Sequence, residues 1–213
     1  MGKGRQGRIW VSPPGNLYIS TLVRLRPGDP PAPTLALVAA VALHEALAAR
    51  VPGVRIKWPN DLICSPAEAG AQSAPQSALR PLPENGMAKL AGILLERAGD
   101  VVVIGFGANL AHHPQGLDRP VTSIAALAGA APDPAQVAEQ LAETFAAWLS
   151  RWRTAGLDAI RIAWLAAAHP IGTPLTTPEG HGTFDGLDQS GALRLKRSDN
   201  SIRLVHAGDV FLL

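Results

Sequence analysis

The chain has 213 residues, a length that suits one domain with a small appendage and that can bury a core without disulfides or metals. Hydrophobic residues make up 47% of it and charged residues 17%, which excludes a wholly disordered protein. The formal net charge is only +2, so the overall field does not favour a nucleic-acid binder. Cys64 is the single cysteine, and no apolar run is long enough to span a bilayer. We therefore expect a cytoplasmic protein with neither a signal peptide nor a membrane span.

The predicted elements begin with a strand at residues 17–25, where apolar and polar side chains alternate. Thr34 is expected to cap a mostly apolar helix that runs to about Arg50. Further predicted elements are strands at 54–57 and 62–64, a hairpin of 89–97 with 101–106, a helix that begins at Asp133-Pro134 and a helix at about 157–168. Residues 65–87 contain almost no large apolar side chain, and we assign this excursion no chemistry.

The character of the chain changes after Pro170, where short alternating runs are punctuated by glycines. Such a pattern predicts a small barrel or curled sheet docked on the main domain. The expected organisation is therefore a domain of sheet and helices over residues 1–169 and a small barrel over residues 170–213.

A basic, glycine-rich segment opens the chain. Gly2-Lys-Gly-Arg-Gln-Gly7 has the spacing of dinucleotide-binding glycines, but no strand precedes it and no helix can follow, so a Rossmann site is rejected. Glycines interleaved with Lys3, Arg5 and Arg8 suit instead a polyanionic ligand, and Trp10 can stack on an aromatic base. The alternative is a solvated basic tail.

Two more segments with candidate chemistry stand at strand ends. The lysine of Lys57-Trp-Pro-Asn-Asp61 can neutralise charge when a carboxylate attacks a phosphoryl group, with a surface lysine above a structural turn as the alternative. The asparagine of Gly105-Phe-Gly-Ala-Asn109 can reach a phosphate or ribose, unless this segment is a plain tight turn. No further ligands are spaced to join His112 and His113, so no metal site is predicted.

Five segments together resemble the ordered motifs of the biotin protein ligases. They are residues 2–10, 12–18, 57–62, 89–96 and 105–109, and residues 182–210 are similar to the C-terminal Src-homology-3-like (SH3-like) barrel of that family. The resemblance implies an α+β fold, in which a mixed β-sheet packs with helices in the class II synthetase-like arrangement of biotin and lipoate ligases. The string at 57–61 and the barrel disfavour a lipoate-type ligase.

The resemblance also implies an activity and its site. Biotin and MgATP would give biotinyl-5′-AMP, and a lysine of a biotin carboxyl carrier protein would then take the biotinyl group. Lys57 and Arg5 would be catalytic, with Lys57 touching the biotin carboxyl and the α-phosphate. The implied biotin contacts are Lys3, Gly4, Arg5, Lys57 and Gly92, and the implied nucleotide contacts are Arg5, Arg8, Trp10 and Asn109.

The chain also departs from the family pattern. Family catalytic domains begin earlier, with a strand and a helix that carry a Ser-Thr-Asn turn and a Gln, and this sequence has neither. We therefore expect an N-terminally truncated, monofunctional ligase without the DNA-binding domain of some relatives and without a DNA partner. A homodimer is left open as its oligomeric state. The alternative function is a truncated, non-catalytic module that binds nucleotide or carrier protein.

Overall fold

The computed structural model describes residues 10–65, 86–117 and 119–212, and the backbone of residues 2–3 and 9. The predicted contacts at Gly4, Arg5 and Arg8 lie outside these residues, as does the side chain of Lys3 and most of the 65–87 excursion. Within the part of the chain that the structure describes, no helix is both long and apolar enough to cross a bilayer.

The first sheet has five antiparallel strands. Seven strands precede residue 109: β1 (Gly2–Lys3), β2 (Ile9–Trp10), β3 (Leu17–Arg24), β4 (Val54–Lys57), β5 (Asp61–Cys64), β6 (Ala88–Ala98) and β7 (Val101–Ala108). The sheet runs in the order β3-β7-β6-β5-β4, and β1 pairs with β2 separately. The sheet expected to be mixed is antiparallel in its named strands. Among the described residues, parallel pairing is limited to two isolated bridges, Ile56 with Ala168 and Lys89 with Val121.

The helices cover one face of this sheet. They are α1 (Leu35–Ala48), α2 (Ile124–Ala128), α3 (Pro134–Ala155) and α4 (Leu157–Ala167). The apolar helix α1 contacts β4, β5 and β6 and also packs against α3 and α4, which explains why it is buried on nearly all sides. Phe145 of α3 meets Phe106 of β7 edge to face at a centroid distance of 5.8 Å.

Most predicted elements are confirmed to within one or two residues, and two details differ. Thr34 stands at the N-cap position of α1 as predicted, but its side chain makes no capping hydrogen bond: its hydroxyl donates to the Pro31 carbonyl and accepts from the Trp152 indole N–H at 2.8 Å. The short helix α2 was not predicted. It begins where the Ser123 hydroxyl accepts from the Ala126 N–H, and it is too short to show a period of apolar residues.

A second antiparallel sheet follows α4. Its strands are β8 (Pro174–Thr177), β9 (Gly180–Leu187), β10 (Leu193–Lys196), β11 (Ile202–Val205) and β12 (Phe211–Leu212), in the order β11-β10-β9-β8-β12. This arrangement is consistent with the SH3-like barrel that the sequence predicts. One continuous cluster of buried side chains joins the two sheets, and the boundary at residues 169 and 170 stays a prediction.

Candidate active site

One row of residues crosses all five strands of the first sheet and forms the base of the site. In the strand register Lys57 lies opposite Asp61, Asp61 opposite Gly92, Gly92 opposite Gly107, and Gly107 opposite Tyr18. Directly opposed residues share a face of a sheet. We refer to these five residues as the cross-sheet row.

The cross-sheet row lies on the face that the helices leave free. Successive side chains of a strand point to opposite faces, and Ile104 and Phe106 of β7 point into the helix-covered core. Gly105 and Gly107 therefore face the other way. The two adjacent glycines of the row, Gly92 and Gly107, leave a strip of bare backbone in the middle of this face.

The indole of Trp10 fills that strip. A Cβ atom placed on Gly107 would lie 2.9 Å from Cε2 of the Trp10 ring, closer than real Cβ contacts come. On Gly92 a Cβ would lie 3.3 Å from the same ring and 3.0 Å from Nζ of Lys89. The position of Trp10 thus requires glycine at 107, and a side chain at 92 would have to displace Lys89 and the ring slightly.

Asp61 is the common partner of two ammonium groups. Its Oδ2 lies 3.3 Å from Nζ of Lys57, and its Oδ1 accepts a short hydrogen bond from Nζ of Lys89. The three side chains are only 16%, 12% and 13% exposed for Lys57, Asp61 and Lys89 respectively. Little water therefore screens these charges, and each lysine is fixed in direction by the carboxylate between them.

Burial is the largest influence on the pKa of both Asp61 and Lys89. Burial raises the pKa of the Asp61 carboxyl, but the neighbouring Lys89 and Lys57 charges outweigh it and hold that pKa below its usual value. Burial lowers the pKa of Lys89, and the attraction of Asp61 only partly opposes this while Arg119 and Lys57 add to it. An anion that arrived beside Lys89 would therefore stabilise its ammonium.

A third cation reaches the site from the segment that precedes α2. The Lys89 N–H donates to the Pro120 carbonyl at 3.0 Å, and the Thr122 N–H donates to the Lys89 carbonyl at 2.9 Å. This pairing brings the exposed Arg119 close enough for its charge to act on Lys89. Lys57, Arg119 and Asp61 thus all act on Lys89, and the Nζ of Lys89 lies 5.5 Å from the centroid of the Trp10 ring.

The two asparagines of the predicted motifs tie loops to the sheet. Nδ2 of Asn60 donates to the Ile93 carbonyl on β6, so it ties the 57–61 turn to the neighbouring part of the sheet. Asn109 is 2% exposed, and its Nδ2 donates to the Thr122 carbonyl at 3.0 Å. Its role toward a nucleotide stays a prediction.

Two residues of the site, Lys89 and Arg119, were not predicted from the sequence, and neither was the pairing of Asp61 with two lysines. Lys89 stands three residues before Gly92, so strict alternation along a strand would put the two on opposite faces. A β-bulge at Leu90 shifts the register, because Leu62 pairs with Ala91 while Ile63 pairs with Lys89. The available signal was the presence of Lys89 in the same motif as Gly92.

The structure describes part of the predicted site and brings three of its residues to one face of the sheet. Lys57, Gly92 and Trp10 lie on one face of the sheet, and Asn109 follows at the end of β7. For the opening segment, Gly2 pairs with Trp10 and Lys3 with Ile9 along the backbone. Within the described ranges, no three His, Cys, Asp or Glu side chains group as metal ligands do.

Family comparison agrees with this architecture in both parts of the chain. The model of the Biotin/lipoate A/B protein ligase family matches residues 1–109, and the model of the Biotin protein ligase C terminal domain matches residues 175–213. The chain therefore belongs to the biotin/lipoate A/B protein ligase family.

Individual relatives narrow the comparison to biotin ligases. The chain is 38% identical over 228 aligned residues to the biotin--[acetyl-CoA-carboxylase] ligase of Paracoccus denitrificans, covering 99% of this chain and 85% of that one. It is 30% identical to the bifunctional ligase/repressor BirA of Bacillus subtilis (strain 168), of which it spans 63%, less than two thirds, with 99% of this chain covered.

Solved structures with the same fold come from the same group. A biotin protein ligase from Aquifex aeolicus in complex with biotin and ATP aligns with a TM-score of 0.79 at 22% identity, covering 100% of this chain and 84% of that one. The biotin protein ligase from Leishmania major in complex with biotinyl-5-AMP aligns with a TM-score of 0.60 at 23% identity, covering 97% and 84%. At these identities the likeness concerns the fold.

Proposed function

We propose that this chain ligates biotin to a lysine of a biotin carboxyl carrier protein, using ATP and passing through biotinyl-5′-AMP. The observation that carries the proposal is the pairing of Lys57 and Lys89 with Asp61, next to the Trp10 ring that covers the bare strip of Gly92 and Gly107. A relative named as a biotin--[acetyl-CoA-carboxylase] ligase over 99% of this chain supports it.

The first step joins two anions, and the cations of the site reduce the electrostatic repulsion between them. A carboxylate oxygen of biotin attacks the α-phosphorus of ATP, the bond from that phosphorus to the bridging oxygen breaks, and pyrophosphate leaves. Negative charge builds on the α-phosphate oxygens in the transition state. Removing one group that stabilises such charge typically lowers the rate about 10²- to 10³-fold.

Lys57 and Lys89 have distinct places in this scheme. Lys89 contacts the position above Gly92, so its ammonium would face the biotin carboxylate, whose arrival offsets the burial that lowers the Lys89 pKa. Lys57 stands on the other side of Asp61 and would neutralise the α-phosphate and the attacking carboxylate as charge builds. Asp61 is the positioning residue for both lysines.

The second step uses the mixed anhydride. The neutral ε-amine of a carrier lysine attacks the biotinyl carbonyl, the bond from that carbonyl to the phosphate oxygen breaks, AMP leaves, and the amine loses its proton to form an amide. Trp10 and the two glycines would form an apolar floor that keeps water from the anhydride before the amine arrives.

The opening segment is proposed to complete the site. Lys3, Gly4 and Arg5 would bind biotin and the adenylate phosphate, Arg8 the ATP phosphates, and Trp10 and Asn109 the nucleotide. Supporting this, β1 pairs with β2 and Gly2 lies opposite Trp10, so the backbones at the two ends of residues 2–10 lie side by side.

Three wider features belong to the same proposal. Magnesium would enter with ATP. The described residues contain no group of three or more His, Cys, Asp or Glu side chains, and Asp61 is engaged by two ammonium groups, so no step is assigned to the metal. A cytoplasmic location is supported by the single cysteine, Cys64, which is buried and forms no disulfide. Action as a homodimer stays a prediction, which sedimentation at several concentrations would check.

Biotin-dependent exchange of labelled pyrophosphate into ATP tests the first step. We expect exchange with biotin and none with lipoate, and transfer of label from biotin to a carrier domain in a second reaction. Calorimetric binding of biotin or ATP without exchange would instead support the non-catalytic module and contradict the proposal.

A further inference from the structure

Two neighbouring side chains of the 57–61 turn are held by backbone carbonyls of the second sheet domain. Nζ of Lys57 donates to the carbonyl of Val210 at 2.9 Å, and Nε1 of Trp58 donates to the carbonyl of Gly191 at 3.2 Å. Trp58 is 3% exposed and Val210 1% exposed, so both contacts lie inside the junction between the domains. Lys57 of the cross-sheet row therefore contacts both domains.

A carbonyl is a suitable partner for an ammonium that must keep its charge. The negative charge of Asp61 offsets part of the positive charge of Lys57, and a second carboxylate beside Lys57 would offset the remainder. The Val210 carbonyl is neutral, so it accepts a hydrogen bond and fixes the direction of the side chain while the charge stays available to a substrate. Asp61 and Val210 together use two of the three ammonium protons and leave one for an incoming anion.

The hydrogen bond to Val210 fixes the position of the Lys57 ammonium. A lysine side chain has four rotatable carbons and loses considerable rotamer entropy when it is fixed in one geometry. Displacement by about 1 Å in a catalytic group can cost about 100-fold in rate. The contact with Trp58 holds the backbone next to Lys57 in the same docked arrangement.

We propose that the Val210 carbonyl, supported by the Trp58–Gly191 contact, is a positioning group for Lys57, through which docking of the C-terminal domain sets the rate of biotin adenylation. This inference rests on the proposed function for its kinetic part. Its structural part, that the Val210 carbonyl holds the Lys57 ammonium, stands without it.

Replacing one backbone amide by an ester tests the carbonyl directly. Phe211→phenyllactic acid converts the bond after Val210 into an ester, whose carbonyl is a weaker acceptor, and leaves every side chain in place. We expect kcat for pyrophosphate exchange to fall about tenfold, with the KM for biotin changed less than about twofold. The matched control, Leu212→leucic acid, places an ester one residue further along the same strand and should leave kcat within about twofold.

A readout that needs no activity accompanies the kinetics. Trace acetylation with acetic anhydride, followed by mass spectrometry, compares Lys57 with the exposed Lys196 as internal reference. The Phe211 ester should raise the relative acetylation of Lys57 about threefold or more, and the Leu212 ester should not. Trp58→Phe, which removes the second donor, should lower kcat in the same direction.

The outcomes separate the two claims. Equal effects of both esters on kcat, or unchanged acetylation of Lys57 in the Phe211 ester, overturn the positioning role. If the unmodified chain shows no exchange at all, the proposed function fails, and the acetylation ratio alone then decides whether Val210 holds Lys57. Loss of folding in the Phe211 ester, seen as a lost thermal transition, leaves the Trp58→Phe kinetics to decide, and an unchanged kcat there overturns the proposal.

Discussion

The ammonium of Lys89 lies 5.5 Å from the centroid of the Trp10 ring and at the same time pairs with the Asp61 carboxylate. Through this one side chain the end of the opening basic segment meets the 57–61 turn. Lys57 completes the connection, because it shares Asp61 with Lys89. The cations that a reaction between two anions requires are therefore next to each other on one face of the sheet.

Removing the Lys57 side chain is expected to stop adenylation without unfolding the protein. Asp61 keeps Lys89 as a partner, so Lys57→Ala leaves no buried charge unpaired. We expect pyrophosphate exchange to fall about 10²- to 10³-fold. Lys196→Ala, an exposed lysine of β10, is the control and should retain full exchange. Exchange by Lys57→Ala within threefold of the parent would remove Lys57 from the mechanism.

Neutralising Asp61 should destabilise the fold itself. Asp61→Asn leaves two largely buried ammonium groups without their counter-charge, and breaking a buried pair costs about 3 to 5 kcal/mol. We expect the urea midpoint to fall accordingly. The double variant Asp61→Asn/Lys89→Met removes one of the stranded charges and should recover part of the loss. A double variant less stable than Asp61→Asn alone would show that charge is not the cause.

The packing of Trp10 against Gly107 can be tested by a matched pair of glycine substitutions on β7. Gly107→Ala places a methyl group against the Trp10 ring, whereas on Gly105 the nearest atoms, Ser20 Oγ and Leu94 O, lie at ordinary distances of 3.7 and 3.8 Å. We expect Gly107→Ala to weaken biotin binding about tenfold or more by calorimetry and Gly105→Ala to leave it nearly unchanged. Equal affinities of the two variants would mean that the packing of Trp10 on Gly107 does not contribute to biotin binding.

Acid should destabilise the junction between the domains through His169. The ring is 2% exposed, it faces the Phe184 ring at a centroid distance of 4.4 Å, and burial lowers its pKa from 6.5 to about 4. Between these values the unfolded chain binds a proton that the folded protein does not, so stability falls as the pH falls. At about 1.4 kcal/mol for each pKa unit, the loss between pH 6.5 and pH 4 is about 3 kcal/mol.

The variant His169→Gln isolates that contribution. It has no group to titrate at this position, so its free energy of unfolding should fall less than that of the parent over the same range by about 3 kcal/mol. Urea unfolding at a series of pH values measures the difference. Parallel pH profiles for the two proteins would mean that folding does not lower the pKa of His169.

Local patterns were sufficient for most elements and for the family. Alternation located β3, and the Asp133-Pro134 pair located the start of α3, where the Asp133 carboxylate accepts from the Ala135 N–H at 2.9 Å. Both signals depend on residues close together in the chain. Thr34 shows the limit of such signals, because a distant partner, Trp152, takes the hydroxyl that would have capped α1.

By itself the sequence determined the succession of strands and helices, the glycine motifs and the membership of the ligase family, since these depend on short-range patterns and ordered motifs. Only the tertiary structure decided that Lys89 faces the site, that Asp61 serves two lysines, and that Val210 of the second sheet domain holds Lys57. A single extra residue in β6 turns Lys89 to the face of Gly92, and a backbone carbonyl has no side-chain signature. Such contacts arise from strand register and domain docking, which no local pattern of residue types specifies.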